Sequence, residues 1–158
     1  MSQVLSEQSS GGVRAFAALL RAYVSTTRQL NAQLTVDHGL TISDYEVLLR
    51  LVRAPDRRMR RVDLAEQVLL TASGITRLLD GLEQSGLVER GSCATDRRVV
   101  YAVLTDAGLA KVREASRSHF AQVNQLFAEH FDGDELETVG DLLARIGGSD
   151  PRDCDPDA

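Results

Sequence analysis

The stretch between Thr71 and Gly86 has the pattern of an amphipathic helix. Apolar residues recur at steps of three and four, so one face of this helix is expected to pack against a core. The opposite face carries mainly short polar side chains and one long cation. Gly86 is placed to end the helix in a left-handed conformation. The apolar positions are Ile75, Leu78, Leu79 and Leu82, and the polar positions are Ser73, Thr76, Arg77 and Asp80.

A shorter helix is predicted just before this one, over residues 63–68. Leu69 and Leu70 then form a tight turn, and either Thr71 or Ser73 caps the longer helix through its hydroxyl group. Two helices joined by so short a turn are typical of the helix-turn-helix motif that binds DNA.

Two short β-prone segments follow, at residues 87–90 and 99–104, and the polar stretch 91–98 separates them. Alternating apolar residues on both sides of a polar loop predict a β-hairpin. A hairpin directly after a helix-turn-helix motif is the arrangement called a winged helix-turn-helix.

One more helix is predicted between the first helix of the chain and this motif. Ser43 and Glu46 have the S-x-x-E form of a capping box, so a helix is expected to start there and to run to about Arg53. Pro55 prevents simple continuation. Residues 56–61 are interpreted as a basic connector.

Long helices are predicted on both sides of the motif. Helical spacing of apolar residues runs over 13–37 and again from the cap Thr105 to about Phe131, and a last helix restarts at Asp132. The fold class is therefore mainly α: a winged helix-turn-helix with additional N- and C-terminal helices. Their apolar stripes exceed what one small module can cover, which predicts dimerisation.

The net charge of −5 conceals an uneven distribution. Between Arg50 and Arg98 there are ten arginines and seven acidic residues, so this segment carries +3 and the remainder −8. A locally basic segment suits a nucleic-acid partner, although an ordinary solvated surface has the same composition.

Several classes of protein and site are not favoured by the sequence. No apolar run is long enough to span a membrane, and the N-terminus lacks the features of a secretion signal, so a cytoplasmic protein is expected. No phosphate loop or nucleophile motif is present, so neither an enzyme nor a cofactor is predicted. His119 and His130 lie about 16 Å apart on one helix, too far to share a metal ion. Cys93 lies near Arg90 and Arg97, which would favour its thiolate, but an incidental cysteine is the simpler interpretation.

Two runs of sequence carry a family resemblance: VDLAEQVLLTASGITRLLDGLEQSGLVERG at 62–91 and DRRVVYAVLTDAG at 96–108. In content and spacing they resemble regulators of the MarR (multiple antibiotic resistance regulator) family. The most specific element is the Asp-x-Arg of the hairpin, six residues before the Leu-Thr pair that opens the next helix. The resemblance covers about residues 13–147. It implies a homodimer whose first and last helices intertwine across a two-fold axis.

The candidate DNA-binding residues lie on the polar helix face and at the hairpin tip. Short hydrogen-bonding side chains let a helix approach DNA, and a long cation reaches a phosphate or a guanine edge. The resemblance implies that Arg98 enters a minor groove, and that Asp96 holds the wing by pairing with an arginine such as Arg77. Alternatively, Ser73 only caps the helix and Arg77 pairs with an acidic neighbour. The predicted set is Arg61, Thr71, Ser73, Thr76, Arg77, Asp96, Arg97 and Arg98.

The function predicted is that of a sequence-specific transcriptional regulator of double-stranded DNA. The leading hypothesis is a homodimeric repressor, released from a pseudo-palindromic operator by a small aromatic or anionic effector. The effector site is unassigned, because Arg21, His38 and Tyr45 show no specific pattern. The alternatives are a constitutive DNA-binding protein without an effector, and a winged-helix module that binds an acidic protein.

The predicted organisation is a single domain at 13–147. Its dimerisation helices span about 13–37 and 106–147, and its winged helix-turn-helix spans about 43–105. A flexible start (1–12) and a disordered acidic tail (148–158) flank it.

Overall fold

The computed structural model describes residues 11–68, 70–93 and 98–147. Leu69 of the predicted turn, most of the hairpin tip and the tail lie outside these ranges, as do the first ten residues. The helices are α1 (Gly11–His38), α2 (Ile42–Arg53), α3 (Arg61–Gln67), α4 (Ala72–Gln84), α5 (Asp106–Ala128) and α6 (Gly133–Gly147), and the strands are β1 (Arg58–Arg60), β2 (Val88–Ser92) and β3 (Val100–Leu104).

The predicted long helices are confirmed, with shifted ends. α1 begins at Gly11, two residues inside the segment expected to be flexible, and α5 ends three residues before the predicted Phe131. Thr105 caps α5, since its Oγ1 accepts a hydrogen bond from the Gly108 backbone N at 3.0 Å. Asp132 and Glu135 form a reciprocal capping box at the start of α6, with distances of 2.9 and 3.0 Å.

The predicted capping box of α2 is wrong by two residues. The N-cap is Thr41, whose Oγ1 accepts from the Asp44 backbone N at 3.1 Å, while the Asp44 carboxylate accepts from the Thr41 backbone N at 2.9 Å. Leu40 is buried directly before the cap, and the Ile42 backbone N donates to Asn31 Oδ1 of α1 at 2.9 Å. These tertiary contacts fix the entry of the chain into α2 earlier than Ser43.

The interpretation of residues 56–61 as only a connector is also wrong. A 3-10 turn at Pro55–Arg57 contains two positive φ angles, 55° at Asp56 and 51° at Arg57, and β1 follows. β1 pairs antiparallel with β3, with Arg58 opposite Val103. The Arg58 guanidinium lies 4.0 Å from the centre of the Tyr101 ring, a cation–π contact that holds this edge strand in place.

The predicted hairpin is confirmed and forms part of a three-stranded sheet in the order β1-β3-β2. β2 and β3 pair in a register that sets Val88 opposite Leu104 and Ser92 opposite Val100. Gly86 adopts a φ of 72° between α4 and β2, as the sequence predicts. The polypeptide therefore reverses directly from the end of α4 into the wing.

The hydrophobic core is centred on the winged module and is completed by side chains from α1 and α5, whereas α6 contributes none. Leu34 is the only residue of α1 that is buried, and α6 has no buried residue. In the part of the chain that the structure describes, no helix is both long and apolar enough to cross a membrane. The largest fully buried side chains are Leu34, Leu48, Leu51, Leu64, Leu79, Val47 and Ser116.

Candidate nucleic-acid interface

The turn between α3 and α4 is closed by backbone hydrogen bonds and a side-chain cap. The Leu70 backbone N donates to the Ala65 carbonyl at 3.0 Å. Of the two predicted caps, Thr71 is the N-cap of α4, and its Oγ1 accepts from the Gly74 backbone N at 3.1 Å. Ser73 Oγ lies 3.2 Å from the same hydroxyl, so the two side chains meet at the N-terminus of the helix. This end of α4 is exposed at Thr71 and Ser73, and the N-terminus of a helix favours anions.

The two faces of α4 are divided as the sequence predicts. Ile75, Leu79 and Leu82 are buried, with exposures of 3%, 0% and 3%, and Leu78 is half-buried against the same core. On the opposite side Ser73, Thr76 and Arg77 are exposed in one row, close to the exposed Thr71. Among the described residues, Arg77 forms no ion pair. The row therefore offers hydroxyl groups and one cation to a partner.

Acidic side chains at the end of α4 bind arginines of the neighbouring elements. Arg90 of β2 donates from Nε to both carboxylate oxygens of Glu83, at 2.9 and 3.1 Å, and from Nη2 to Asp80 Oδ1 at 2.9 Å. Arg61 Nη2 approaches the same Asp80 oxygen at 3.8 Å. Sequence reasoning missed this network, although the reversal at Gly86 brings β2 back beside α4.

The position of Arg61 differs from that of the exposed row. Its side chain is only 18% exposed, and its Nε and Nη2 atoms are buried without a hydrogen-bond partner in the described part of the chain. The structure places it at the start of α3, beside Asp80. Its predicted contact with DNA stays a prediction, and it requires the guanidinium to turn outward.

The wing extends from the C-terminal end of β2 and the N-terminal end of β3. Arg98 is exposed and lies two residues before β3, on the side of the hairpin tip. Asp96 and Arg97 lie outside the described residues, so the predicted pairing of Asp96 with Arg77 stays a prediction. The described geometry brings Thr71, Ser73, Thr76 and Arg77 together at one face of α4, and Arg98 is exposed on the wing that follows.

Of the three residues considered for an effector site, two contact α5 at one junction and the third lies apart from it. Tyr45 is buried, with its hydroxyl hydrogen-bonded to Ser116 Oγ at 2.9 Å. The His38 side chain is 7% exposed, and its Nε2 lies 2.6 Å from Ser118 Oγ of α5. Arg21 is exposed on α1. Tyr45 and His38 thus link α2 and α1 to α5.

A second histidine lies in the same junction. The ring centre of His119 is 4.9 Å from that of Tyr45, and its Nδ1 is buried without a hydrogen-bond partner among the described residues. Burial lowers the pKa of the His119 imidazole below its ordinary value, since the charged form loses its hydration. An open cleft of about 150 Å³ lies farther along α1 and α5, and its lining includes Gln29, Gln33, Gln122 and Gln125.

The outer helices expose apolar side chains in continuous stripes. On α1, Phe16 is 62% exposed and Tyr23 is 64% exposed, and on α6 Ile146 is 80% exposed. Large apolar surface of this kind marks an interaction site in a soluble protein. The other members of the stripes are Val13, Leu19, Leu20, Val24, Leu142 and Leu143.

Comparisons with known proteins find similar sequences and folds among transcriptional regulators. The sequence profile described as MarR family matches residues 38–99. The HTH-type transcriptional regulator MhqR of Bacillus subtilis (strain 168) is 29% identical, over 85% of this chain and 90% of its own. AbsC, a MarR family transcriptional regulator from Streptomyces coelicolor, is 32% identical with a TM-score of 0.73, covering 84% of this chain and 89% of AbsC. Sco3205 from the same organism, a MarR family regulator solved in complex with DNA, is 26% identical with a TM-score of 0.75, covering 84% and 83%.

Proposed function

The chain belongs to the MarR family of winged helix-turn-helix transcriptional regulators, and on that premise we propose that it is a homodimeric repressor. Two copies would occupy a pseudo-palindromic operator in the cytoplasm and leave it when a small-molecule effector binds. The observation that carries the proposal is the exposed row of Ser73, Thr76 and Arg77 on α4, followed in the chain by a wing on which Arg98 is also exposed. The role proposed is binding without catalysis.

The recognition helix in this proposal is α4. Its N-terminal end presents Thr71 and Ser73, whose hydroxyl groups and neighbouring N–H groups suit phosphate oxygens. Arg77 lies one turn further along and would reach a base edge in the major groove. Arg98, which follows Asp96 and Arg97 in the sequence, would deliver a cation to the minor groove. Arg61 completes the proposed set through a contact to the DNA backbone.

Dimerisation is proposed from the exposed stripes of α1 and α6. Neither helix buries its apolar face within the chain, since Leu34 is the one buried residue of α1 and α6 has none. A second copy related by a two-fold axis would cover both stripes with the same contacts from each side. In this organisation residues 13–147 form one domain, in which 43–105 bind DNA and 13–37 and 106–147 dimerise.

The effector proposed is a small aromatic or anionic molecule, and no residues are assigned to its site. A ligand releases DNA only if it binds the free conformation of the dimer more tightly than the bound one. The junction where α1 and α2 meet α5, which contains His38 and Tyr45, is the region through which the long helices and the winged module influence each other. These contacts support a coupling between effector binding and DNA binding. A screen of small molecules would identify the ligand.

The test of the DNA-binding proposal begins with selection of an operator from a random duplex library by the wild-type protein. We expect log affinity to fall steeply against log salt, by roughly 0.9 for each phosphate contacted. We also expect protection of a sequence with two half-sites. A flat salt dependence, or selection without any sequence preference, would contradict the proposal.

A further inference from the structure

The proposed surface has two parts, α4 and the wing, whose separation must match the spacing of adjacent DNA grooves. The covalent link between them is short, residues 85–87, and it passes through the left-handed Gly86. A backbone hydrogen bond from the Leu87 N to the Leu82 carbonyl, 3.0 Å, supports this link. Thr105 also anchors the base of the hairpin, since its Oγ1 donates to the Gly86 carbonyl at 2.7 Å and its backbone N donates to the Leu87 carbonyl at 3.1 Å. These contacts hold only the base, so a side-chain tie farther along β2 would further restrict the angle of the wing.

Arg90 supplies such a tie from the middle of β2, where it is paired with the buried Ala102 of β3. Its guanidinium donates to Glu83 and to Asp80, two carboxylates one helical turn apart on α4. Because the N–H groups of a guanidinium lie in one fixed plane, two carboxylates bound at once define an orientation as well as a distance. The hydrogen bond to Glu83 is also the largest cause that raises the pKa of Arg90 above its ordinary value.

Asp80 extends the network to a third element, since Arg61 of α3 approaches the oxygen that Arg90 binds. α3, α4 and β2 thus converge on this carboxylate. The acidic partners offset the charge of Arg90, whereas Arg77 forms no ion pair among the described residues. Arg77 thus faces outward, whereas Arg90 and Arg61 lie against acidic side chains of α4.

We infer that Arg90, bound by Glu83 and Asp80, is a positioning residue for DNA binding, which sets the angle between the recognition helix and the wing. The inference rests on the proposed function and goes beyond it, since it gives a role to acidic residues on a surface that binds an acidic polymer. Glu83 has no direct contact with DNA in this account. It acts only through Arg90.

The decisive variant is Glu83→Gln, because a purely electrostatic effect and the loss of the tie to Arg90 would change the affinity for DNA in opposite directions. Removal of a negative charge near DNA strengthens binding if charge alone matters. Loss of the tie weakens binding, and we expect a loss of about tenfold for the operator selected by the wild-type protein. Asp63→Asn is the matched control: it removes another partly exposed bidentate ion pair, with Arg60, that joins β1 to α3 and does not reach the wing.

Two further variants distinguish a tie from a phosphate contact. The exchange Glu83→Arg with Arg90→Glu, combined with Asp80→Asn so that no carboxylate opposes the one at position 90, restores the attraction with its polarity reversed, and we expect it to recover part of the affinity lost in Glu83→Gln. Arg90→Gln should weaken binding without changing the slope of log affinity against log salt. A slope smaller by about 0.9 would instead make Arg90 a phosphate ligand and overturn the inference.

Thermal unfolding of each variant is expected to stay close to that of the wild type, since exposed ion pairs contribute little to stability. Glu83→Gln that binds as tightly as the wild type, or more tightly in parallel with Asp63→Asn, overturns the inference and leaves the proposed function intact. Absence of sequence-specific binding by the wild type overturns both.

Discussion

The winged module and the outer helices of this chain satisfy their apolar residues in different ways. Within the module, Leu48, Leu64 and Leu79 are completely buried by neighbours from the same chain. On α1 and α6 the corresponding apolar positions remain exposed, among them Phe16 at 62%. The core of the module is thus completed within one chain, with side chains from α1 and α5, whereas α1 and α6 also carry apolar faces that a second copy is proposed to cover. The two regions should respond differently to the same kind of mutation.

Leucine truncation in the two regions is the strongest way to test that contrast. Leu79→Ala removes a side chain with 0% exposure and leaves a cavity, which typically costs about 2–5 kcal/mol. Leu142→Ala removes a side chain that is 48% exposed in the single chain. Chemical denaturation at low protein concentration should show a large loss for Leu79→Ala and a much smaller one for Leu142→Ala. Equal losses would mean that the regions do not differ.

A charge on the α1 stripe should separate the two copies. Phe16→Asp sets a carboxylate in the middle of the proposed dimer contact, where it would lose its hydration without a partner. We expect sedimentation equilibrium to show a monomer and operator affinity to fall sharply. Val36→Asp is the control, because Val36 is 81% exposed but lies twenty residues further along α1, on the opposite side at 100° per residue. A dimer that tolerates Phe16→Asp would remove the stripe from the interface.

Within the module, the recognition helix and the wing should differ in the information that they read. Arg77→Ala should relax the base preference at particular positions, a loss of roughly 1–3 kcal/mol in discrimination. Arg98→Ala should weaken binding to all operators with little change in preference, since a minor groove distinguishes mainly A·T from G·C. Repeating the operator selection with each variant measures both effects. Similar uniform weakening in the two variants would indicate that Arg77 chiefly positions the wing.

The smallest effect is expected at the junction between the two regions. Burial lowers the pKa of His119, so the unfolded chain takes up the proton first as the pH falls. The contribution of neutral His119 to the free energy of unfolding is therefore fully present above about pH 6.5 and is lost as the pH falls below this value. The loss is at most about 1.4 kcal/mol for each pH unit.

Chemical denaturation at a series of pH values tests this prediction. The quantity to compare is the slope of the free energy of unfolding against pH. The His119→Gln variant should lose less stability between neutral and mildly acidic pH than the wild type. His130→Gln, at an exposed histidine, should follow the wild type. Identical pH slopes in all three proteins would exclude His119 as a source of the acid sensitivity.

The features that sequence predicted well are local ones. The apolar spacing of Ile75, Leu79 and Leu82 defines α4, since helical periodicity alone fixes which side faces the core. The caps Thr71 and Thr105 bond to backbone three residues away, so their signal is contained in a few letters.

The features that sequence reasoning missed depend on contacts between distant segments. Thr41-x-x-Asp44 and Ser43-x-x-Glu46 are overlapping cap frames, and the contact of Ile42 with Asn31 of α1 decides between them. β1 is only three residues long and contains a single apolar residue, Met59, so its pairing with β3 has no local signature.

At the candidate site, too, the local features were predicted from sequence and the contacts between distant segments were not. The exposed row on α4 followed from periodicity, whereas the tie from Arg90 to Glu83 requires knowing that β2 returns beside α4. Arg61 is a clearer case: composition favours an exposed cation, but the fold places it beside Asp80 at 18% exposure. Charge counts therefore predict that a segment is basic without predicting which arginines are available to DNA.

The central claim, that the winged modules read DNA while the outer helices pair two copies, is tested most directly by the stoichiometry and footprint of one complex. The operator selected by the wild-type protein would be titrated at concentrations well above the dissociation constant, and the complex would then be probed by methylation and hydroxyl-radical protection. The account predicts two chains per duplex and two protected major-groove segments, about 10 base pairs apart, one helical turn. One chain per duplex with a single protected segment would contradict it.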